Sequence, residues 1–383
     1  MPAVKHLMTP GPTPVPPRVL EALSLPILHH RTSEFRNIAK GMNADLAYIF
    51  GSAEPPQTIV GSGTAAMEAA IVTLLGHFRD TGAKALVFSN GKFAERWVKT
   101  CSAFGIGNEP LKVEYGQTIQ PDQVEAKLKG DKNLRAVVLV HSETSTATIC
   151  DLKAIAAVCK AHDALLLVDG ITSVGALPVE ADAWGIDALV TGSQKALMNP
   201  PGLGFVAVSN RGWDAAAKLG KTPCCLYLDL RAYREKTKEN DSPYTAAVNL
   251  VQGVSVAAKM IHQKGRENVW ADVRKQAIAC RAAAGPLGLK LFSTCPADSV
   301  TAFVYPAGVD DKKFRKETIE KHSVQLAGGQ GTMEGSVFRI SHMGAVTMED
   351  LKASLVAVAD ALTSQGHPCS AHEVLAAAEA AVR

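Results

Sequence analysis

No run of eighteen apolar residues occurs anywhere in the chain, so a membrane-spanning helix is not expected. CxxC pairs are also missing. The eight cysteines, Cys101, Cys150, Cys159, Cys224, Cys225, Cys280, Cys295 and Cys369, are scattered, which suits neither a disulfide frame nor a zinc site; they read as buried apolar residues or free thiols. Charge of one sign is not in excess: 40 Lys and Arg face 37 Asp and Glu, a net +3. With no basic face carrying interleaved aromatics, a nucleic-acid partner is not expected. The opening "MPAVKHLMTPGPTP" has the features of neither a signal peptide nor an Arg-rich transit peptide, so the expected location is the cytoplasm. Tandem His29 and His30 lack metal-ligand spacing on a helix or a strand, and no metal is expected.

What is present is the material of a globular protein. Apolar residues make up 47%, and 383 residues is long for one core, so two packed units are expected. "MTPGPTPVPP" holds too many prolines for a helix or central strand and reads as an extended arm over 1–17. Helical periodicity follows over Arg18–Leu25 and Glu34–Phe50. "QTIVGSGTAAMEAAIVTLL", "KALVFSNGKFAERWVKTCSAFG" and "RAVVLVHSETSTATICDLKAIAAVCKAH" each run strand, turn, helix; "ALLLVDG", "IDALVTG" and "GFVAVS" supply further strands. Short apolar strands alternating with helices predict an α/β fold: a mostly parallel sheet covered on both faces, spanning 18–255. From about Asn249 the composition shifts to one long helical stretch, then the strands "SVTAFVYPAG" and "GSVFRISHMG" and further helices. These predict a smaller α+β domain over 256–383.

In such sheets chemistry gathers at the C-terminal ends of the strands. "GSGTAAMEAA" places glycines and a helix N-terminus after a strand, which serves as a tight turn or as an anion cradle. Asp169 ends the apolar strand "LLLVDG", where a carboxylate is costly to bury unless something cationic meets it; helix cap and core acceptor are the alternatives. Lys195 in "TGSQKAL" is either a surface lysine or a nucleophilic amine held in a partly desolvated crevice. A phosphate cradle, an aspartate and a crevice lysine together are what pyridoxal 5'-phosphate requires.

The stretches "TPGPTPVPP", "GSGTAAMEAA", "SNGKFAERW", "HSETSTAT", "LLLVDGITSVGALPVEADAWGIDALVTGSQKALMNPPGLGFVAVS" and "FRISHMG" extend this. Through them the chain resembles, over nearly its whole length, the class V aminotransferases of the fold type I pyridoxal-phosphate enzymes. The particular resemblance is to the group of alanine–glyoxylate and serine–glyoxylate (serine–pyruvate) aminotransferases. The resemblance implies a large domain with a seven-stranded-type sheet, a smaller C-terminal domain, and transamination from a small amino acid to a 2-oxo acid. It implies Lys195 as the Schiff-base lysine and Asp169 as partner of the pyridinium nitrogen. Ser62, Gly63, Thr64 and Gln194 would take the phosphate, and Thr144 would lie beside the ring. Phe93 would stack on the ring where alanine–glyoxylate members carry tryptophan. Arg339, with Gly11, would meet the substrate carboxylate; a structural salt bridge is the other reading of Arg339. Thr245 in "SPYTAAV" would reach the phosphate of a neighbouring subunit, with Tyr244 or Ser242 in the place of a companion tyrosine, making the enzyme a homodimer. "LHHRTSEF", with Arg31, reads as a substrate-side or subunit-contact loop; Ser173, His141 and His342 read as structural. Two other readings remain: a cysteine desulfurase or lyase, which needs a reactive cysteine on an open loop, and a subunit of this fold serving as an assembly partner.

Overall fold

The computed structural model describes residues 4–220 and 225–383; Cys224 lies outside them. Seven strands form the main sheet: β1 (Gln57–Gly61), β2 (Lys84–Ser89), β3 (Gly107–Lys112), β4 (Leu134–Val140), β5 (Leu165–Asp169), β6 (Ala188–Gly192) and β7 (Gly202–Val208), in the order β1-β7-β6-β5-β4-β2-β3. The five strands from β6 to β3 are parallel, and β7 runs antiparallel to both its neighbours. β1 therefore shares the direction of the parallel strands, and Gly61, Ser89, Val140, Asp169 and Gly192 all end at one edge.

Alternation along the strands explains the two covered faces. Phe88, Val137, Leu139, Leu166 and Val168 enter a core with Leu46, Ile155 and Val251. Val87, Ala136, Val138, Leu167 and Val190 enter the opposite core with Met67, Ile71 and Trp97. The helices supplying these faces include α1 (Ser33–Phe50), α2 (Gly63–Leu75), α3 (Lys92–Ala103) and α4 (Val248–Lys264).

The long helical stretch expected beyond Asn249 is two helices. Gly265, at φ +81, closes α4, and α5 (Arg266–Ala282) follows. Val251, Val254, Ala257, Ala258 and Ile261 place α4 in the core of the large sheet, so the boundary expected between 255 and 256 falls inside this helix.

A second, antiparallel sheet is built from β8 (Lys290–Leu291), β9 (Val300–Val304), β10 (Ala327–Gly328) and β11 (Val337–Ser341), in the order β8-β9-β11-β10. Phe303, Phe338 and Ile340 share its core with Leu351, Leu355 and Val358 of helix α6 (Met348–Thr363). Arg339, between Phe338 and Ile340, belongs to the other face. The N-terminal arm ties the two sheets. His6–Leu7 pairs in parallel with Val324–Gln325, Ser341 N–H donates to Met8 O at 2.9 Å, and Thr13 N–H donates to Gln194 O at 3.0 Å.

Candidate active site

At the edge where the parallel strands end lies a cavity of about 280 Å³. Gly11, Ser62, Gly63, Thr64, Phe93, Thr144, Asp169, Gln194 and Lys195 all line it, so nine of the residues singled out from sequence come together. A larger cleft of about 420 Å³ lies where those strands begin. Its buried carboxylate, Asp187, is taken up by Arg211, Ser209 and the Leu166 N–H, which leaves it no free chemistry.

Lys195 follows β6 in a polar turn. Its side chain is 8% exposed and its ammonium donates to the Pro10 carbonyl of the N-terminal arm. Thr13 of the same arm donates its hydroxyl to Lys195 O at 2.7 Å. The arm passes so close that a Cβ on Gly11 would lie 2.5 Å from Lys195 Cε, and Gly11 sits at φ +132, a backbone state that favours glycine. Burial pushes the Lys195 pKa down to about 8, helped by the Arg339 charge and opposed by Asp169 and Glu143. A tenth or so of the amine is then free base at pH 7, roughly 300-fold more than for an exposed lysine. In cofactor-free protein, reaction of Lys195 with an amine reagent is expected to reach half its plateau near pH 8. A midpoint near 10.5 would contradict this environment.

Asp169 ends β5 and is 3% exposed. The expectation that a cation meets it is corrected in part: among the described residues no cation lies within ion-pair distance. Instead Trp97 Nε1 donates to its Oδ2 at 3.0 Å and Ile171 N–H to its Oδ1 at 2.9 Å. Burial raises its pKa to about 7, reinforced by Glu143 and opposed by the Ile171 N–H, Lys195 and Trp97. A carboxylate held this high gains strongly from a cationic nitrogen placed against it.

The glycine segment after β1 is a tight turn that opens directly into a helix. Ser62 caps α2, its hydroxyl accepting from Ala65 N–H at 3.4 Å. Gly63 and Thr64 begin the helix, and their N–H groups precede the first intrahelical bond, from Ala66 N–H to Ser62 O. A Cβ on Gly63 would lie 2.5 Å from Ile171 Cδ1. Gln194, whose amide NH2 can donate to an anion, lines the cavity beside this turn. An N-terminal helix turn with a spare polar side chain beside it fits a phosphate, and the aspartate and lysine fit a pyridinium aldehyde, so the donor set matches pyridoxal 5'-phosphate.

Sequence reasoning passed over three groups. Trp97 holds Asp169. Arg96 lines the cavity, donates to Thr64 Oγ1 at 2.8 Å and lies 5.0 Å from the Phe93 ring centre. Glu143 is fully buried beside the cavity. Phe93, Arg96 and Trp97 stand at helical spacing i, i+3, i+4 on α3, the signal by which they form one face.

Arg339 lies beside the cavity rather than in its lining. Its guanidinium donates to Thr144 O at 2.9 Å and to Gly328 O at 2.7 and 3.2 Å, so the salt-bridge reading is replaced by carbonyl contacts. Burial, opposed by Glu143, lowers its pKa to about 10. Thr144 and Thr172 share a hydroxyl contact. Thr245 is exposed and away from its own chain's cavity. Tyr244 donates to Leu226 O at 2.9 Å. Arg31 is ion-paired with Asp241 at 2.6 Å. His141, Ser173 and His342 are buried; His342 Nε2 meets Thr301 at 2.8 Å. Cys295 is partly buried, pinned through its backbone to Ser293 and Ile149, and does not line the cavity, which weighs against desulfurase chemistry.

This architecture is the fold type I arrangement of pyridoxal-phosphate-dependent transferases. The chain belongs to the class-V aminotransferases, whose family model matches residues 6–376, and it is an aminotransferase. It is 40% identical over 368 residues to the soluble hydrogenase 42 kDa subunit of Anabaena cylindrica, covering 94% of each chain. It is 32% identical over 393 residues to serine–glyoxylate aminotransferase of Methylorubrum extorquens, covering 100% of this chain and 97% of that one. Among solved structures, ureidoglycine–glyoxylate aminotransferase of Bacillus subtilis superposes with a TM-score of 0.91 at 27% identity, over 98% of this chain and 97% of the other. Among the described residues no helix is long and apolar enough to cross a membrane.

Proposed function

We propose that the enzyme transfers the amino group of a small L-amino acid, alanine or serine, to a 2-oxo acid, with glyoxylate as acceptor, and that it does so with pyridoxal 5'-phosphate in the cavity at Lys195. The observation that carries this reading is the pairing of a desolvated lysine with a desolvated aspartate in one cavity that also holds a helix N-terminus. The glyoxylate acceptor rests on relatives named for it.

Bound pyridoxal phosphate supplies an electron-accepting ring that stabilises negative charge developing at the substrate Cα. Lys195 would hold the cofactor through its side-chain amine, and that amine, partly free base at neutral pH, would serve as the base that moves the substrate Cα proton. Asp169, its two oxygens fixed by Trp97 and Ile171, would meet the pyridine nitrogen and keep a proton there. Ser62, Gly63, Thr64 and Gln194 would hold the phosphate, Phe93 would cover the ring, and Thr144 would lie beside it; all of them line the cavity. Arg339 turns its fork from the Thr144 and Gly328 carbonyls to the substrate carboxylate, next to Gly11. A matrix of amino donors against oxo-acid acceptors tests the reading. Alanine or serine with glyoxylate should give the highest kcat/KM; no transamination to glyoxylate from either donor would overturn it.

We infer that the working unit is a homodimer sharing its two sites. Thr245 is exposed on its own chain, and Leu20, Leu25, Ile27, Leu226 and Tyr227 are exposed apolar residues in want of a cover. Mixing the inactive Lys195→Ala and Thr245→Trp variants is expected to restore part of the activity through heterodimers. A fully active monomer would contradict it. The hydrogenase-subunit name of one relative suggests an assembly role, yet Lys195, Asp169 and Arg339 are all present here, which supports catalysis.

A further inference from the structure

Glu143 sits one residue before Thr144, in a short two-stranded pairing of Ser142–Glu143 with Thr148–Ile149. It is 0% exposed, and among the described residues no cation pairs with it. Its two oxygens are nonetheless fully engaged. Oε2 accepts the Phe93 N–H at 3.1 Å and the Ala94 N–H at 2.8 Å; Oε1 accepts the Ser145 N–H at 2.9 Å and the Ser145 hydroxyl at 2.6 Å. Ser145 Oγ in turn accepts the Lys92 N–H at 3.0 Å. Lys92, Phe93 and Ala94 are the first three residues of α3, so their N–H groups, which no intrahelical carbonyl can reach, are all satisfied from this one loop. The usual capping position is Gly91, which has no side chain to cap with. Its backbone is extended there, and glycine is required for space: a Cβ would lie 2.3 Å from Glu143 Cγ and 2.8 Å from Ser145 Oγ. Glu143, fifty residues beyond Phe93 in the chain, replaces the missing cap.

The helix held in this way carries the ring-covering Phe93, then Arg96, and Trp97 with its bond to Asp169. We propose that Glu143 is a positioning residue of the transamination site: it anchors the first turn of α3, and so the Phe93–Trp97 face, against the cofactor, and sets a fixed negative charge beside Lys195 and Asp169. This rests on the function proposed above. The charge is felt at both groups, since Glu143 favours the protonated form of Lys195 and of Asp169. The groups facing this region are Asp169 and Lys195 from the large sheet, Arg339 from the small one, and Tyr115, whose hydroxyl donates to Glu95 of α3 at 2.6 Å.

The test compares Glu143→Gln, which keeps the shape and removes the charge, with Gly91→Ala, which displaces the side chain and leaves the charge. In Glu143→Gln, pyridoxal phosphate is expected to bind about tenfold to a hundredfold more weakly, because one of the two accepting oxygens becomes an NH2 that faces two donors, and the contacts to the other oxygen lose their charge. The pH midpoint of the visible absorption band is expected to fall by about one unit. In Gly91→Ala, affinity falls while the midpoint stays within a few tenths of the wild type. Amide hydrogen exchange at Phe93 and Ala94 speeds up in both, with or without cofactor. A Glu143→Gln protein with wild-type midpoint and affinity overturns the proposal, whatever its melting temperature. If Glu143→Gln does not fold, unchanged exchange and affinity in Gly91→Ala overturns it instead. Should the wild-type protein take up no pyridoxal phosphate, it is the proposed function that fails, and the exchange measurement still decides whether Glu143 anchors the helix.

Discussion

Lys195→Ala is expected to lower kcat by about 10⁴-fold or more, since the variant loses both the covalent attachment and the base that moves the Cα proton. The loss comes without unfolding. The folded-state pKa of Lys195 lies at about 8, below the usual value near 10.5. The unfolded chain therefore binds more protons between these two values, and the lysine's effect on stability improves as pH rises through that window. Below pH 8 its destabilising effect is fully present. At pH 7 cofactor-free Lys195→Ala should accordingly melt no lower than the wild type, although a side chain has been removed from a buried site. Steady-state kinetics with a thermal melt on the same sample checks both parts. Retained turnover would remove Lys195 from the chemistry, and a collapsed melting temperature would make it a structural residue.

Arg339→Lys is expected to leave pyridoxal phosphate bound while kcat/KM falls for amino donor and oxo-acid acceptor alike, because both substrates carry a carboxylate. The loss should be about 2–4 kcal/mol, or roughly 30- to 1000-fold, the range for one or two charged hydrogen bonds. Lysine keeps the charge but lacks the planar fork. Without substrate that fork spans the carbonyls of Thr144, in a turn of the large domain, and Gly328, in β10 of the small sheet, which an ammonium cannot bridge in the same way. Half-reaction kinetics for donor and acceptor separate this from loss at one substrate only. Equal kcat/KM for every pair in the variant would assign Arg339 to holding Thr144 and Gly328 together.

The parts of the fold carried by local pattern were readable in advance. The apolar runs of β2, β4, β5 and β6 and the glycine turns after β1 and β2 announced both the sheet and the edge at which the cavity forms. β3 escaped because "GNEPLK" is polar and holds Pro110, which is tolerable only because the strand sits at the sheet's edge and pairs with β2 alone. The reversed direction of β7 has no local signature: "GLGFVAV" is as apolar as its parallel neighbours. Gly265 is legible as a helix stop, but helix-forming residues flank it closely on both sides in "HQKGREN", so the local pattern reads on as one helix.

The site divides in the same way. Lys195, Asp169 and the Ser62–Thr64 turn stand at strand ends and announce themselves. Trp97 and Glu143 do not, because their roles arise between elements 72 and 50 residues apart in sequence. Arg339 is a charge within the apolar strand "SVFRIS", which is visible locally; the carbonyls that meet it, Thr144 in a turn and Gly328 in β10, come from elements whose approach no local pattern encodes.

The central claim is that Lys195 holds pyridoxal phosphate. Borohydride reduction of the cofactor-loaded protein, followed by peptide mapping, tests it most directly. The account predicts a single phosphopyridoxyl group on Lys195, in the peptide containing "TGSQKAL", with loss of the visible absorption band. A label on any other lysine, or none in a protein that shows the band, would contradict it.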